Sequence, residues 1–161
     1  MEIREFLKID SEQVKDLLVE LQNYIIEIDK YNLNLLAVNY RNDYFKYLIK
    51  DCKKNSGKIF VALEEGRAVG MIAGFVEKYD KRDKLDYSCP KKGIVAELIV
   101  SKNSRGGGVG NQLLNTMENY FAAINCEYIS LDVFAYNENA TKFYLNHNYE
   151  PRMHTLFKKI K

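Results

Sequence analysis

Apolar positions near the start of the chain change period twice. From Glu2 to Ile9, Ile3, Phe6 and Leu7 alternate with charged residues well enough to predict a short first strand. Asp10 followed by Gln13 then gives a capping-box-like helix start. Val14, Leu17, Leu18, Leu21, Ile25 and Ile28 recur at helical spacing, which places them on one buried face. Lys30 to Asn39 breaks that pattern. A second helix is expected from about Asn42, with Phe45, Leu48, Ile49 and Cys52 inward, and Asn55-Ser56-Gly57 ends it.

The period then becomes that of strands. Ile59 to Glu64 and Arg67 to Val76 are β-rich runs joined at Glu64-Glu65-Gly66, an antiparallel hairpin by its letters. Glu77 to Lys92 is dense in charge, carries Pro90 and predicts a long surface loop. Ile94 to Val100 is the expected central strand and Gly108 to Ile124 a helix burying Val109, Leu113, Leu114, Met117 and Phe121. Tyr128 to Phe134 reads as another strand, which after a crossover helix implies parallel pairing. Asn137 to His147 is expected as a short helix and Arg152 to Ile160 as a closing strand. The order βααβββαβαβ predicts an α/β (α+β) fold with a mixed central sheet covered by helices.

Composition narrows the function classes. A chain of 161 residues has the size of a single domain, and 47% hydrophobic with 29% charged residues is the balance of an ordinary globular protein. A formal charge of +2 points to neither nucleic acid nor an anionic membrane surface as partner. No apolar run is long enough to span a bilayer, and Met1 to Phe6 lacks the features of a signal peptide, so a cytoplasmic protein is expected. Cys52, Cys89 and Cys126 are too scattered for a disulfide framework or a metal site, and His147 and His154 lack ligand-like company; no metal is expected.

The segment most loaded with chemistry is Arg105-Gly106-Gly107-Gly108-Val109-Gly110, which lies between the central strand and the next helix. Glycines there admit φ > 0 and let backbone N–H groups approach a ligand, while the helix start adds unpaired donors and partial positive charge. A diphosphate would be held by several donors at once, with Arg105 adding charge beside it. The segment is no Walker loop: the sole Gly-Lys pair, Gly57-Lys58, is followed by Ile59 and has Cys52 where the first glycine belongs. Nor is it a dinucleotide fingerprint, because the register from Gly108 and Gly110 meets Leu113 in place of the third glycine. What fits is Arg-x-x-Gly-x-Gly. Placed between a strand carrying Glu97 and a helix with Leu113 and Leu114, it resembles the acetyl-CoA loop of the GCN5-related N-acetyltransferase (GNAT) superfamily.

That resemblance covers Val95 to Tyr149 most strongly and implies a GNAT-like sheet of six to seven strands flanked by about four helices. One departure is that the tail after Tyr149 is long enough for one strand, where many family members have two. It also implies acetyl-CoA as acetyl donor substrate and a primary amine as acceptor, whether a small molecule, a peptide or a protein lysine. The donor's diphosphate would sit on Arg105, Gly106, Gly107, Gly108, Val109 and Gly110. The pantetheine arm would run along the backbone of Leu98, Ile99 and Val100, with the Val100 N–H as oxyanion donor. Asn137, by its residue type, is a good helix cap. Asn137 with Ala140, Phe143 and Tyr144 also matches the family's Asn-x-x-Ala-x-x-Phe-Tyr signature, which implies a contact to the pantetheine or acceptor side.

Acetyl transfer to an amine needs a base, a stabilised oxyanion and a proton for the thiolate. Glu97 interrupts an otherwise apolar strand, is expected to share a face with Val95 and Ile99, and is the candidate base, directly or through water. Tyr144, a phenol with a reference pKa of about 10, is the candidate acid. Tyr24, Tyr31, Tyr40, Tyr44 and Tyr47 fall where the family builds its acceptor pocket, and Tyr31 or Tyr40 could line it. Two other readings are an acyl-CoA-binding sensor of the same fold without turnover, which would need neither Glu97 nor Tyr144, and a cysteine-acyl enzyme using Cys126 or Cys89 with a histidine as base, for which the sequence offers no recognisable arrangement of Cys, His and acid. The expected edge strand Arg152 to Ile160 could pair with a second copy to form a homodimer.

Overall fold

The computed structural model describes residues 1–160. Among them are five strands and four α-helices: β1 (Glu2–Glu5), α1 (Ser11–Ile28), α2 (Tyr40–Lys54), β2 (Lys58–Glu64), β3 (Arg67–Val76), β4 (Lys92–Val100), α3 (Val109–Ala123), β5 (Tyr128–Ser130) and α4 (Glu138–Leu145). The strands form one sheet in chain order, β1 to β4 antiparallel to their neighbours and β5 parallel to β4. The hairpin, the crossover and the mixed sheet are therefore as the sequence predicts.

Alternation of side chains divides the apolar residues between two faces. On one side α1 and α2 bring Val14, Leu17, Leu18, Leu48 and Cys52 onto Ile59, Val61 and Leu63 of β2 and Met71 and Ala73 of β3. On the other, Val109, Leu113, Leu114, Met117 and Phe121 of α3 pack on Ala62, Ile72 and Val95, with Phe143 and Tyr144 of α4 at the margin. Phe121 is fully buried, and it fits because Gly93 lies beneath it: a Cβ on Gly93 would come within 2.6 Å of the ring.

Four expectations need correction. The sheet has five strands rather than six to seven, because Arg152 to Ile160 forms no strand and is exposed throughout. Neither face of that segment is consistently apolar: Met153 and Phe157 alternate with Leu156 and Ile160 among basic residues, so no pairing register is specified. Its potential neighbour β5 is also only three residues long, ending at Ser130 rather than Phe134, and offers little edge to pair with. The expected capping box is absent too. Asp10 instead accepts hydrogen bonds from both Nη atoms of Arg4, each at 2.8 Å, and from Leu7 N–H at 2.7 Å, while Gln13 Oε1 accepts from Ala68 N–H at 2.7 Å. A bidentate guanidinium is a stronger partner for a buried carboxylate than a cap donor. The first strand ends early, at Glu5, for the same reason: the chain turns there to bring Asp10 beneath Arg4.

The break between α1 and α2 is ordered by Asp29. Its carboxylate accepts from the N–H groups of Tyr31, Leu33 and Asn34 and from the Asn34 side chain, at 2.7–3.0 Å. These bonds, Asn34's first among them, hold its pKa down at about 2.

Candidate functional site

The site begins with an irregularity in β4. Glu97 pairs with Ala73 and Val95 with Gly74, so Ala96 has no partner: β4 carries one extra residue at this point. Such a bulge reverses the alternation of side chains beyond it. Val95 faces α3, whereas Ile99 belongs to the cluster under α1 and α2. Glu97 therefore does not share a face with both Val95 and Ile99, as plain alternation predicts. It turns toward α2, where its Oε1 accepts a hydrogen bond from the Tyr44 hydroxyl.

Burial pushes the Glu97 carboxyl above the usual carboxylate range, and the Tyr44 hydrogen bond partly opposes that rise. Tyr40, one turn before Tyr44, stacks on it with ring centroids 4.8 Å apart and an interplanar angle of 11°. Both phenols are pushed well above their ordinary range, by burial first and the Glu97 charge second. On the other side of the sheet opening, Tyr144 of α4 is pushed up to about 12, again by burial and then by the charge of Glu97. Glu97 and Tyr144 thus lie within electrostatic reach of each other although they come from different faces.

They can do so because the sheet parts between them. β5 pairs with β4 only at Lys92, Gly93 and Ile94. Beyond Ile94, no strand among the described residues pairs with β4 on that side. Ser101 N–H donates to Val69 on β3 at 2.8 Å, so the alternation of a strand turns the N–H groups of Val100 and Leu98 the other way, into the opening.

At the end of β4 the glycine segment turns into α3. Gly106 has φ of 83° and Gly108, the N-cap of α3, has φ of 80°, a region that a residue with a Cβ adopts only under strain. The space where a Cβ would stand is open at both. Gly107 and Gly110 have no such requirement; Gly110 instead lies close to α4, where a Cβ would stand 3.5 Å from the Phe143 ring. Gln112 N–H is the first to bond back, to Gly108 at 3.2 Å, so the N–H groups of Val109, Gly110 and Asn111 lack intrahelical partners. No acidic residue stands in the first turn of α3 to compete for an anion.

Arg105 is placed differently from the simple expectation of a free charge beside that turn. Its Nε donates to Val100 O at 3.0 Å, its guanidinium lies 5.5 Å from the Tyr24 ring centroid, and Nη2 is 3.9 Å from Glu20. It buttresses the turn against β4 and α1. Asn137 is the N-cap of α4: its Oδ1 accepts from Ala140 N–H at 3.1 Å and from the Tyr24 hydroxyl at 3.2 Å. Both acceptor contacts are internal, so any ligand is left with the Nδ2 donors. Tyr24 and Tyr44 are the residues that sequence reasoning did not single out; the tyrosine-rich first half was its only signal.

The residues 22–149 match the family model described as Acetyltransferase (GNAT) family. The chain belongs to the GNAT family of acetyltransferases. Over 94 residues it is 38% identical to an uncharacterized N-acetyltransferase of Methanocaldococcus jannaschii, a stretch that is 58% of this chain and 53% of that protein. It thus spans about half the length of that relative. In fold it is similar to the mutant BH1408 protein of Bacillus halodurans, with a TM-score of 0.85 and 18% identity over the whole of both chains. It is also similar to an aminoglycoside N-acetyltransferase in complex with CoA, with a TM-score of 0.69, 16% identity and 99% of each chain covered. A third likeness is to glucosamine-6-phosphate N-acetyltransferase of Arabidopsis thaliana, with a TM-score of 0.67 and 18% identity over 99% of this chain and 98% of that one. Among the described residues no helix of this chain is long and apolar enough to cross a membrane, and no group of potential metal ligands is assembled.

Proposed function

We propose that this chain is an N-acetyltransferase that moves the acetyl group of acetyl-CoA to a primary amine by direct attack in a ternary complex. The observation that carries the reading is the bulge at Ala96, which turns the one carboxylate of an apolar strand toward Tyr44 of α2, next to the stretch of β4 that β5 leaves unpaired.

The residues suit that donor. Gly106, Gly107, Gly108, Val109 and Gly110 would receive its diphosphate on backbone N–H groups and the start of α3, with Arg105 holding the turn in place. The pantetheine arm would run along Leu98, Ile99 and Val100, with its amides on the Leu98 backbone groups that turn into the opening, since those of Ile99 turn to β3 and Val100 O is taken by Arg105, and Asn137 would meet it from the α4 side through Nδ2. The N–H of Val100, aimed into the opening, would face the oxyanion; one donor of that kind contributes about 3 kcal/mol.

Glu97 would take the proton from the attacking nitrogen, and its raised pKa makes it a better base than an exposed glutamate. Tyr144 would supply a proton to the departing thiolate. Its grip on that proton is tightened in part by the charge of Glu97, so protonation of Glu97 makes Tyr144 more acidic as the thiolate leaves. Solvent then carries the proton from Glu97 back to Tyr144. Incubation with acetyl-CoA and a panel of primary amines, with thiol release as readout, tests the reading; CoA binding without release on any amine would favour a sensor of the same fold.

A further inference from the structure

The carboxylate of Glu97 has one side-chain partner among the described residues, the hydroxyl of Tyr44 on Oε1. The elements around it supply no cation. From α2 it faces Tyr44 and Tyr40, with Asp51 acting on Tyr44 farther along the helix; from α4 it faces Tyr144; opposite it on β3 stands Ala73; and the buried α1 residues of the cluster on that face of the sheet, Val14, Leu17 and Leu18, are apolar. Tyr44 is itself fixed. It lies within α2, and the stacked Tyr40 ring limits its rotation.

We propose that Tyr44 is a positioning residue for acetyl transfer: its hydrogen bond occupies Oε1 of Glu97 and orients the carboxylate so that Oε2 is the oxygen that receives the amine proton. The inference rests on the functional reading above in taking Glu97 as the base. Tyr44 touches neither acceptor nor donor in this scheme; it acts through Glu97. The charged form of Glu97 gains from this bond and the neutral form does not, so the bond favours ionisation against the burial that opposes it. Removing the hydroxyl while keeping the ring removes that support and leaves the stack with Tyr40 in place.

The test is Tyr44→Phe, with folding checked by circular dichroism. The midpoint of Glu97 is read by carbon NMR of glutamate-labelled protein, its resonance assigned by its loss in Glu97→Gln. In Tyr44→Phe this midpoint is expected at higher pH than in the parent. The acid limb of the pH profile of kcat/KM should move in the same direction, with kcat/KM lower by about tenfold below both midpoints and KM for acetyl-CoA unchanged, the loss expected for a hydrogen bond to a charged group. Tyr40→Phe, which keeps ring and stack, should leave the midpoint where it is. An unchanged Glu97 midpoint in folded Tyr44→Phe overturns the inference. A moved midpoint with an unmoved acid limb overturns the positioning role, because the base is then another group. A moved midpoint in a protein with no turnover on any amine upholds the hold of Tyr44 on Glu97 and overturns the functional reading instead.

Discussion

Gly108→Ala separates a diphosphate seat from a merely flexible turn. The residue sits at φ 80°, ψ 3° as the N-cap of α3, and a Cβ there would meet no atom within 4 Å. Sterically the substitution is free; its cost is the left-handed backbone, roughly 1–2 kcal/mol for a residue other than glycine. Because the neighbouring Gly106 and Gly107 are exposed, the alanine loop can relax to negative φ in the free protein with little loss of packing. A ligand that needs the N–H groups of Val109 and Gly110 aimed together must draw the loop back. The cost then appears in binding, as a CoA dissociation constant weakened by between about 5-fold and 30-fold with the thermal midpoint nearly unchanged. Gly107→Ala is the control: its φ lies outside the left-handed region and the nearest atom to its Cβ would be Ser104 O at 3.9 Å. Isothermal titration of CoA into the three proteins decides. Equal affinity for Gly108→Ala and the parent, or an equal loss in Gly107→Ala, would refute the reasoning.

Other substitutions probe the rest of the site. Glu97→Gln should lower kcat/KM by about 10²-fold or more while leaving the CoA dissociation constant intact by titration. In the parent, activity should fall as pH drops through a midpoint above the usual carboxylate range, since Glu97 works ionised and burial raises its pKa; a profile with no acid limb would remove it as base. Tyr144→Phe should reduce turnover at neutral pH by at least about tenfold with acetyl-CoA affinity retained, as steady-state kinetics would show. Gly93→Ala should destabilise the fold by about 1–3 kcal/mol in denaturant unfolding, because its Cβ would stand 2.6 Å from the buried Phe121 ring.

Much of this architecture could be read from local patterns, and the exceptions share a cause. The helix faces, the β2–β3 hairpin and the β4–α3–β5 crossover follow from periodicities that a few neighbouring residues define. The glycine turn and the Asn137 cap are equally local. The direction of Glu97 is not. Alternation along Ile94 to Val100 assumes an unbroken ladder, and with apolar residues on both faces the letters give no sign that Ala96 is extra. The Tyr44 to Glu97 hydrogen bond joins residues far apart in sequence, and one tyrosine among twelve carries no mark of its partner. Arg105 reads as a free charge in the sequence because its Val100, Glu20 and Tyr24 partners come together only in the folded chain. The closing strand expected over Arg152 to Ile160 needs a neighbour to pair with, which local letters cannot supply.

The central claim is that this site catalyses transfer from acetyl-CoA to an amine. Its most direct measurement is thiol release from acetyl-CoA by the purified protein, with and without each of a broad set of primary amines, paired with mass spectrometry of the acceptor. The account predicts amine-dependent thiol release matched by an acetylated amine and abolished in Glu97→Gln. Thiol release that is independent of any amine, or CoA binding with no acetylated product across the set, would contradict it.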